Sequence, residues 1–262
     1  MNLWINKLLK LSKSRPERCG QISGLLIDFI FPRSCPACEK ALSIPFSKPL
    51  CQTCIAKIKR VKAPFCLKCG IPFHSKKTVN HICARCLRHP QKLDRARSIF
   101  IYQGPVAQLI KGFKYRGDLS CLRTITKLSR PLLQEIFSDM DIELKAASNR
   151  LCIVPVPLHT KRLRMRTFNQ SAIIAKRLFV NMAIKTNLVE RTVNNPPQSD
   201  LAMKQRMKNV KGIFKVESLH GYKDFLIVDD VMTTGSTLEE IAKVLKQKGA
   251  SRVSALTIAR AV

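Results

Sequence analysis

Residues 225–237 read Phe-Leu-Ile-Val-Asp-Asp-Val-Met-Thr-Thr-Gly-Ser-Thr, and this stretch decides the fold. Four apolar residues make a short buried strand. Two adjacent acids, Asp229 and Asp230, follow at its carboxyl end, and a turn of small hydroxyl residues around Gly235 opens a helix. Open α/β folds bind ligands beyond the carboxyl ends of parallel strands, so this order puts an anion-binding turn at the tip of such a sheet. The backbone N–H groups of Thr233, Thr234, Gly235, Ser236 and Thr237 can wrap a phosphate monoester at the helix amino end, aided by the helix dipole. Asp229 and Asp230 face the same crevice, where carboxylates suit ribose hydroxyls or a hydrated magnesium ion. An apolar strand ending in two acids also occurs in P-loop nucleotide hydrolases. That reading needs a G-x-x-x-x-G-K-[ST] loop, and none of the ten glycines begins one.

Outward from this stretch, strands and helices alternate, which implies a mostly parallel sheet. Strands are expected at residues 98–102, 151–155, 213–216, 225–228 and 253–259. Helices are expected at 105–115, 119–137, 168–184 and 237–248, the last ended by Gly249. Residues 91–98 are polar and basic and read as a linker. The chain therefore divides into an amino-terminal segment (1–30), a cysteine-rich module (31–90) and an α/β domain (91–262).

Net charge is +30, with 17 basic against 3 acidic residues in 1–90 and 30 against 14 in 91–262. Such a balance points to polyanions: nucleic acid, phosphorylated ligands or an anionic membrane surface. The longest apolar run near the start, residues 25–31, is broken by Asp28 and is far shorter than the ~20 residues of a membrane helix. Residues 3–11 are amphipathic and read as a helix packed on the protein. With no secretory pattern in this sequence, a cytoplasmic protein is expected.

Eight of the eleven cysteines form four C-x-x-C knuckles: Cys35/Cys38, Cys51/Cys54, Cys66/Cys69 and Cys83/Cys86. Near-even spacing of four knuckles is a zinc signal, two knuckles closing one tetrahedral site. Their order favours consecutive ribbons, Cys35, Cys38, Cys51 and Cys54 on one ion and Cys66, Cys69, Cys83 and Cys86 on the other. A cross-braced pairing of first with third knuckle remains open. Four thiolates leave no open position, so both zincs are structural. His74 and His81 lie between the last two knuckles and read as exposed loop residues, while Cys152, in an apolar strand, reads as a buried thiol. Phe46, Phe65 and Phe73 stand among cations, but in so short a module they are expected to pack around the zinc sites and not to stack on bases.

Residues 225–237 resemble the 5-phosphoribosyl-1-pyrophosphate (PRPP) signature of type I phosphoribosyltransferases. Further segments narrow the resemblance to the ComF, or ComFC-like, family of competence proteins: Tyr-Gln-Gly-Pro-Val at 102–106, Lys-Tyr-Arg-Gly-Asp at 114–118, Val-Pro-Val-Pro-Leu at 154–158 and Phe-Asn-Gln at 168–170. Arg166, Gln198, Arg206, Asn209, Val210 and Gly212 continue it, and together the matches span residues 99–260. One departure is visible, Thr167 where the family has glycine, in a loop where positive φ would favour glycine.

The resemblance implies a type I phosphoribosyltransferase fold preceded by a double zinc ribbon. It implies PRPP with magnesium as ligand, held by Asp229, Asp230, Val231, Met232 and residues 233–237. Pro157 and His159 fall on the pyrophosphate loop. Arg166, Gln198 and Arg206 would contact pyrophosphate or belong to the loop, residues 192–211, that closes over the ligand. Lys114 to Arg116 would line the site. The implied role is natural transformation, with contact to incoming single-stranded DNA and to other competence proteins. Two further readings stay open: a metabolic transferase moving phosphoribose to a base or amine, and a PRPP-sensing regulator that binds nucleic acid. No residue stands out as general base, so catalytic transfer itself is left undecided.

Overall fold

The computed structural model describes residues 34–42, 49–73, 79–142, 150–193 and 212–262. Its centre is a parallel four-stranded sheet. β1 (Arg95–Ile101), β2 (Leu151–Pro155), β5 (Asp224–Met232) and β6 (Arg252–Arg260) are arranged β1-β6-β5-β2. A separate antiparallel pair joins β3 (Val189–Arg191) to β4 (Phe214–Val216). The central strands are apolar on both faces, as a sheet covered on both sides requires. Along β5, Leu226 and Val228 face one core, while Phe225 and Ile227 face the other.

Each face has its own cover. On the first lie α3 (Gly104–Arg116), α4 (Leu119–Ser129), α5 (Leu133–Asp139) and α7 (Gln170–Leu178); on the second lie α8 (Ser236–Gln247) and the β3–β4 pair. Local chemistry sets the helix limits. Pro105 stands in the first turn of α3, and Gly117, at φ 67°, closes it. Asp118 caps α4 by accepting from the Ser120 N–H at 2.7 Å. The sequence suggests one helix over 119–137, but Pro131 lacks the N–H to continue it. The chain passes through a 3-10 turn, Arg130–Leu132, before α5. α7 is also shorter than expected. It ends at Leu178, and residues 183–185 turn back beside β2, where Ala183 accepts from the Ile153 N–H at 2.8 Å.

The cysteine knuckles do not hang from this domain as a separate bead. Cys35, Leu50 and Cys54 belong to the first core, and Cys66, Cys69 and Cys86 to the second, so the two ribbons clasp opposite faces of the sheet. Two short helices, α1 (Gln52–Ala56) and α2 (Ala84–Arg88), carry the second knuckle of each. The segment between the ribbons runs antiparallel to β1: the Val61 N–H donates to Ile99 O at 3.0 Å, and the Ile101 N–H to Lys59 O at 2.8 Å. It covers an edge that would otherwise expose unpaired backbone.

This clasp explains why β1 begins at Arg95, inside residues that read as a linker. Arg97 is 4% exposed. Its guanidinium pairs with Asp139, donates to Leu67 O at 3.1 Å and lies 4.7 Å from the centre of the Phe65 ring. An arginine paired with a carboxylate is tolerated in a core where a lone one is not. Phe73 stacks on His81 at 4.0 Å between centroids. Phe65 and Phe73 therefore pack inside the second ribbon, as expected; Phe46, His74 and residues 3–11 lie outside the described residues.

Candidate functional site

β2 and β5 pair in register up to Pro155 and Val228, and the Val156 N–H then donates to Val228 O at 2.9 Å. There β2 departs, while β5 runs on four residues to Met232. Asp229 and Asp230 stand on this overhang, past the point where the neighbouring strand has left.

The two carboxylates have different surroundings. Asp229 Oδ1 accepts from Ser171 Oγ at 2.8 Å and from the Asp230 N–H at 2.9 Å. Burial first, and then the Asp230 charge, push its pKa up to about 7 against the pull of Lys114 and Ser171. Asp230 accepts from the Val231 N–H at 2.8 Å through Oδ1, and its Oδ2 meets Lys114 Nζ, also at 2.8 Å. Burial works against the Lys114 ammonium, but the Asp230 carboxylate outweighs it, and the lysine pKa is raised. Lys114 sits in the last turn of α3, beside a half-buried Tyr102 whose own pKa is raised by burial.

Beyond the acids, Gly235 takes φ 80° as the residue that caps α8. The conformation favours glycine, and a Cβ there would have to displace the Met232 methyl carbon, 2.4 Å away. Thr234 Oγ1 and Ser236 Oγ are 2.9 Å apart, and the Ser236 N–H donates to Thr234 Oγ1 at 3.3 Å. The turn is thus an open cup of small side chains on a helix amino terminus, suited to an anion.

Of the residues expected to bind, Asp229, Asp230 and Thr233 to Thr237 come together at this overhang. Val231 and Met232 remain in β5, and Met232 is buried beneath Gly235, so its part in the loop is packing. Pro157 is buried just past β2. His159 precedes α6 (Thr160–Arg166) as its cap, Nδ1 accepting from the Lys161 N–H at 3.2 Å. Arg166 is the last residue of α6, while Gln198 and Arg206 lie outside the described residues. Thr167 holds φ 62°, so the backbone keeps a glycine-like turn without glycine. Asn169 then caps α7 and also donates to Val156 O at 3.0 Å, which carries Ser171 to Asp229. Lys114, expected to line the site, does so through its pair with Asp230. Ser171 is a site feature that the sequence did not single out; its nearness to the Phe-Asn-Gln run was the available signal.

The cysteines group consecutively, each tetrad with its sulfurs within 4.8 Å of one another: Cys35, Cys38, Cys51, Cys54 and Cys66, Cys69, Cys83, Cys86. Cross-braced pairing is thereby set aside. Tetrahedral zinc with ~2.3 Å bonds to sulfur requires edges of about 3.8 Å. Cys38 Sγ to Cys51 Sγ measures 3.7 Å and Cys69 Sγ to Cys83 Sγ 3.9 Å. Backbone N–H groups of Cys54, Cys69 and Cys83 point at cysteine sulfur, favouring thiolate. The donor sets fit two closed, structural zinc sites. Burial pushes the remaining described thiols up, Cys121 to about 12 and Cys152 to about 11, leaving them protonated and inert.

Comparison with known proteins gives this geometry its context. Residues 26–87 match the double zinc ribbon domain and residues 169–261 the phosphoribosyl transferase domain. Competence protein F of Haemophilus influenzae is 30% identical over 81% of this chain and 90% of its own length. The chain belongs to the ComF family. DNA utilization protein YhgH of Escherichia coli K12 is 32% identical over 80% of the chain and 90% of its own length. Competence protein ComFC of Bacillus subtilis is 27% identical over 80% and 84%. A hypoxanthine phosphoribosyltransferase from Staphylococcus aureus overlaps 52% of this ComF-family chain and 62% of its own, at 16% identity and a TM-score of 0.30, too slight a likeness to build on. Among the described residues no helix is long and apolar enough to cross a membrane.

Proposed function

We propose that this ComF-family protein binds PRPP, or a closely related phosphoribosyl ligand, in the crevice between Asp229 and Asp230 and the turn at 233–237, and that it serves natural transformation by handling incoming single-stranded DNA. The observation that carries the ligand is the overhang of β5. It sets two carboxylates beside a cup of backbone donors, the pair of groups that ribose hydroxyls and a 5-phosphate require. Magnesium, held with the ligand's pyrophosphate, would neutralise its charge. Asp229 and Asp230 would hold the ribose hydroxyls and favour positive charge on the ring as pyrophosphate departs. Pro157, His159, Arg166, Gln198 and Arg206 are the proposed pyrophosphate and lid contacts.

Support for the biological role comes from the names of the relatives, competence protein and DNA utilization protein, and from the net charge of +30. A chain so basic suits the phosphate backbone, and its single-strand binding should weaken steeply with salt. We place the protein in the cytoplasm, working with other proteins of the uptake machinery.

The test is replacement of the chromosomal gene by an Asp229→Asn/Asp230→Asn allele in its host. The expected result is loss of transformation with DNA still entering the cell and growth in minimal medium unchanged. A nucleotide or amine auxotrophy with transformation intact would instead establish a metabolic transferase and reject the proposed role.

A further inference from the structure

The second zinc ribbon forms one wall of the phosphate turn. Three ties bracket that turn before, within and after it. Before it, Met232 Sδ lies 2.8 Å from Arg260 Nη1, and the same nitrogen donates at 2.8 Å to the carbonyl of Cys69, a cysteine of the second tetrad. Arg260 is 1% exposed, so this link is locked in the core. Within the turn, Arg85 Nη2 donates to Thr234 O at 2.5 Å. Arg85 stands in α2, between Cys83 and Cys86. After the turn, the Lys92 and Leu93 N–H groups, just past the ribbon, donate to the Glu239 carboxylate in the first turn of α8, the Leu93 contact at 3.1 Å.

The Arg85 contact has a directional consequence. In a planar trans peptide the carbonyl and the next N–H point opposite ways. With Thr234 O drawn to the ribbon, the Gly235 N–H must point away from it. That amide is one of the donors that a phosphate in the turn would need, and Gly235 at φ 80° has no side chain to hold the peptide plane by itself. The guanidinium also lies over the turn: Arg85 Nη2 is 3.9 Å from where a Cβ on Gly235 would sit.

We infer that Arg85 is a positioning residue supplied by the second zinc ribbon to the phosphate turn, so that folding of the Cys66, Cys69, Cys83, Cys86 site sets the affinity of the turn for a phosphorylated ligand. The ribbon's metal holds α2, α2 holds Arg85, and Arg85 fixes the Thr234–Gly235 peptide. The ligand class, a phosphate monoester on ribose, rests on the function proposed above. The role of Arg85 in ordering the turn does not.

Two readouts on the full-length, zinc-loaded protein separate these claims. Amide hydrogen exchange across residues 231–239, without ligand, is compared among wild type, Arg85→Ala and Arg85→Lys, with zinc content measured for each. We expect Arg85→Ala to keep two zinc ions yet exchange the turn at least about tenfold faster, the loss of a charge-assisted hydrogen bond, with Arg85→Lys intermediate. Calorimetry with magnesium-PRPP then shows about tenfold weaker binding by Arg85→Ala. Unchanged exchange in an Arg85→Ala protein that retains both zincs overturns the inference, whatever PRPP does. Faster exchange with wild type failing to bind PRPP upholds the positioning role and sinks the ligand reading instead. Faster exchange with wild-type PRPP affinity overturns the link from ribbon to ligand.

Discussion

Replacing Asp229 by asparagine should stabilise the ligand-free protein while destroying its site. Desolvation first, and then the Asp230 charge, push this carboxyl from the ordinary 3.8 up to about 7 in the fold. Its folded pKa is raised, so the native state holds the proton more tightly than the unfolded chain. Between pH 4 and 7 the native state therefore binds more protons, and wild-type stability falls as pH rises, levelling above about 7. At about 1.36 kcal/mol per pH unit the burden is about 3 kcal/mol at pH 6 and about 4 kcal/mol at pH 8. Asparagine cannot ionise, yet it keeps an oxygen to accept from Ser171 Oγ and the Asp230 N–H. Weakening those two bonds costs about 1 kcal/mol, which leaves a net gain of about 2–3 kcal/mol at pH 8. Urea unfolding followed by far-UV circular dichroism, at pH 6, 7 and 8 with zinc kept saturating, reads this directly. The variant's advantage should grow by about 1 kcal/mol across that range. A variant less stable than wild type at pH 8, or a difference that does not change with pH, would refute the argument that Asp229 is a strained, functionally retained charge.

Thr167→Gly should leave stability unchanged or raise it by up to about 1 kcal/mol in thermal melts: it relieves a left-handed threonine at φ 62° and loosens the unfolded chain in compensation. A clear loss would mean that the threonine side chain is needed there. Cys38→Ser/Cys51→Ser should cost one zinc of two by metal analysis, because both residues serve the same tetrad. Loss of both zincs would revive the cross-braced pairing.

The sheet was legible in the sequence because its strands carry short apolar runs separated by helical patterns, and the tetrads were legible because the knuckles are evenly spaced. Residues 95–97 were not, since Arg97 in β1 is made tolerable only by Asp139, Leu67 and Phe65, partners distant in sequence. The break at Pro131 was visible, but the amphipathic pattern on both sides of it argued for one helix. At the site, the acids and the glycine turn announce themselves through local order. Ser171 and Arg85 do not, because each reaches the site from another element, α7 and the second ribbon; Lys114 was expected at the site only from the family resemblance, and its pairing with Asp230 is a contact of the fold. Nor does any sequence pattern say that the two ribbons lie on opposite faces of the sheet. That follows from which core Cys54 and Cys69 each join.

The β5 overhang and its turn should form a working phosphoribosyl site. Calorimetric titration of the zinc-loaded protein with magnesium-PRPP, beside the Asp229→Asn/Asp230→Asn variant at equal zinc content, tests it most directly. Saturable one-to-one binding by wild type, absent in the variant, is the predicted result. Wild type that does not bind, or a variant that binds equally well, would contradict it.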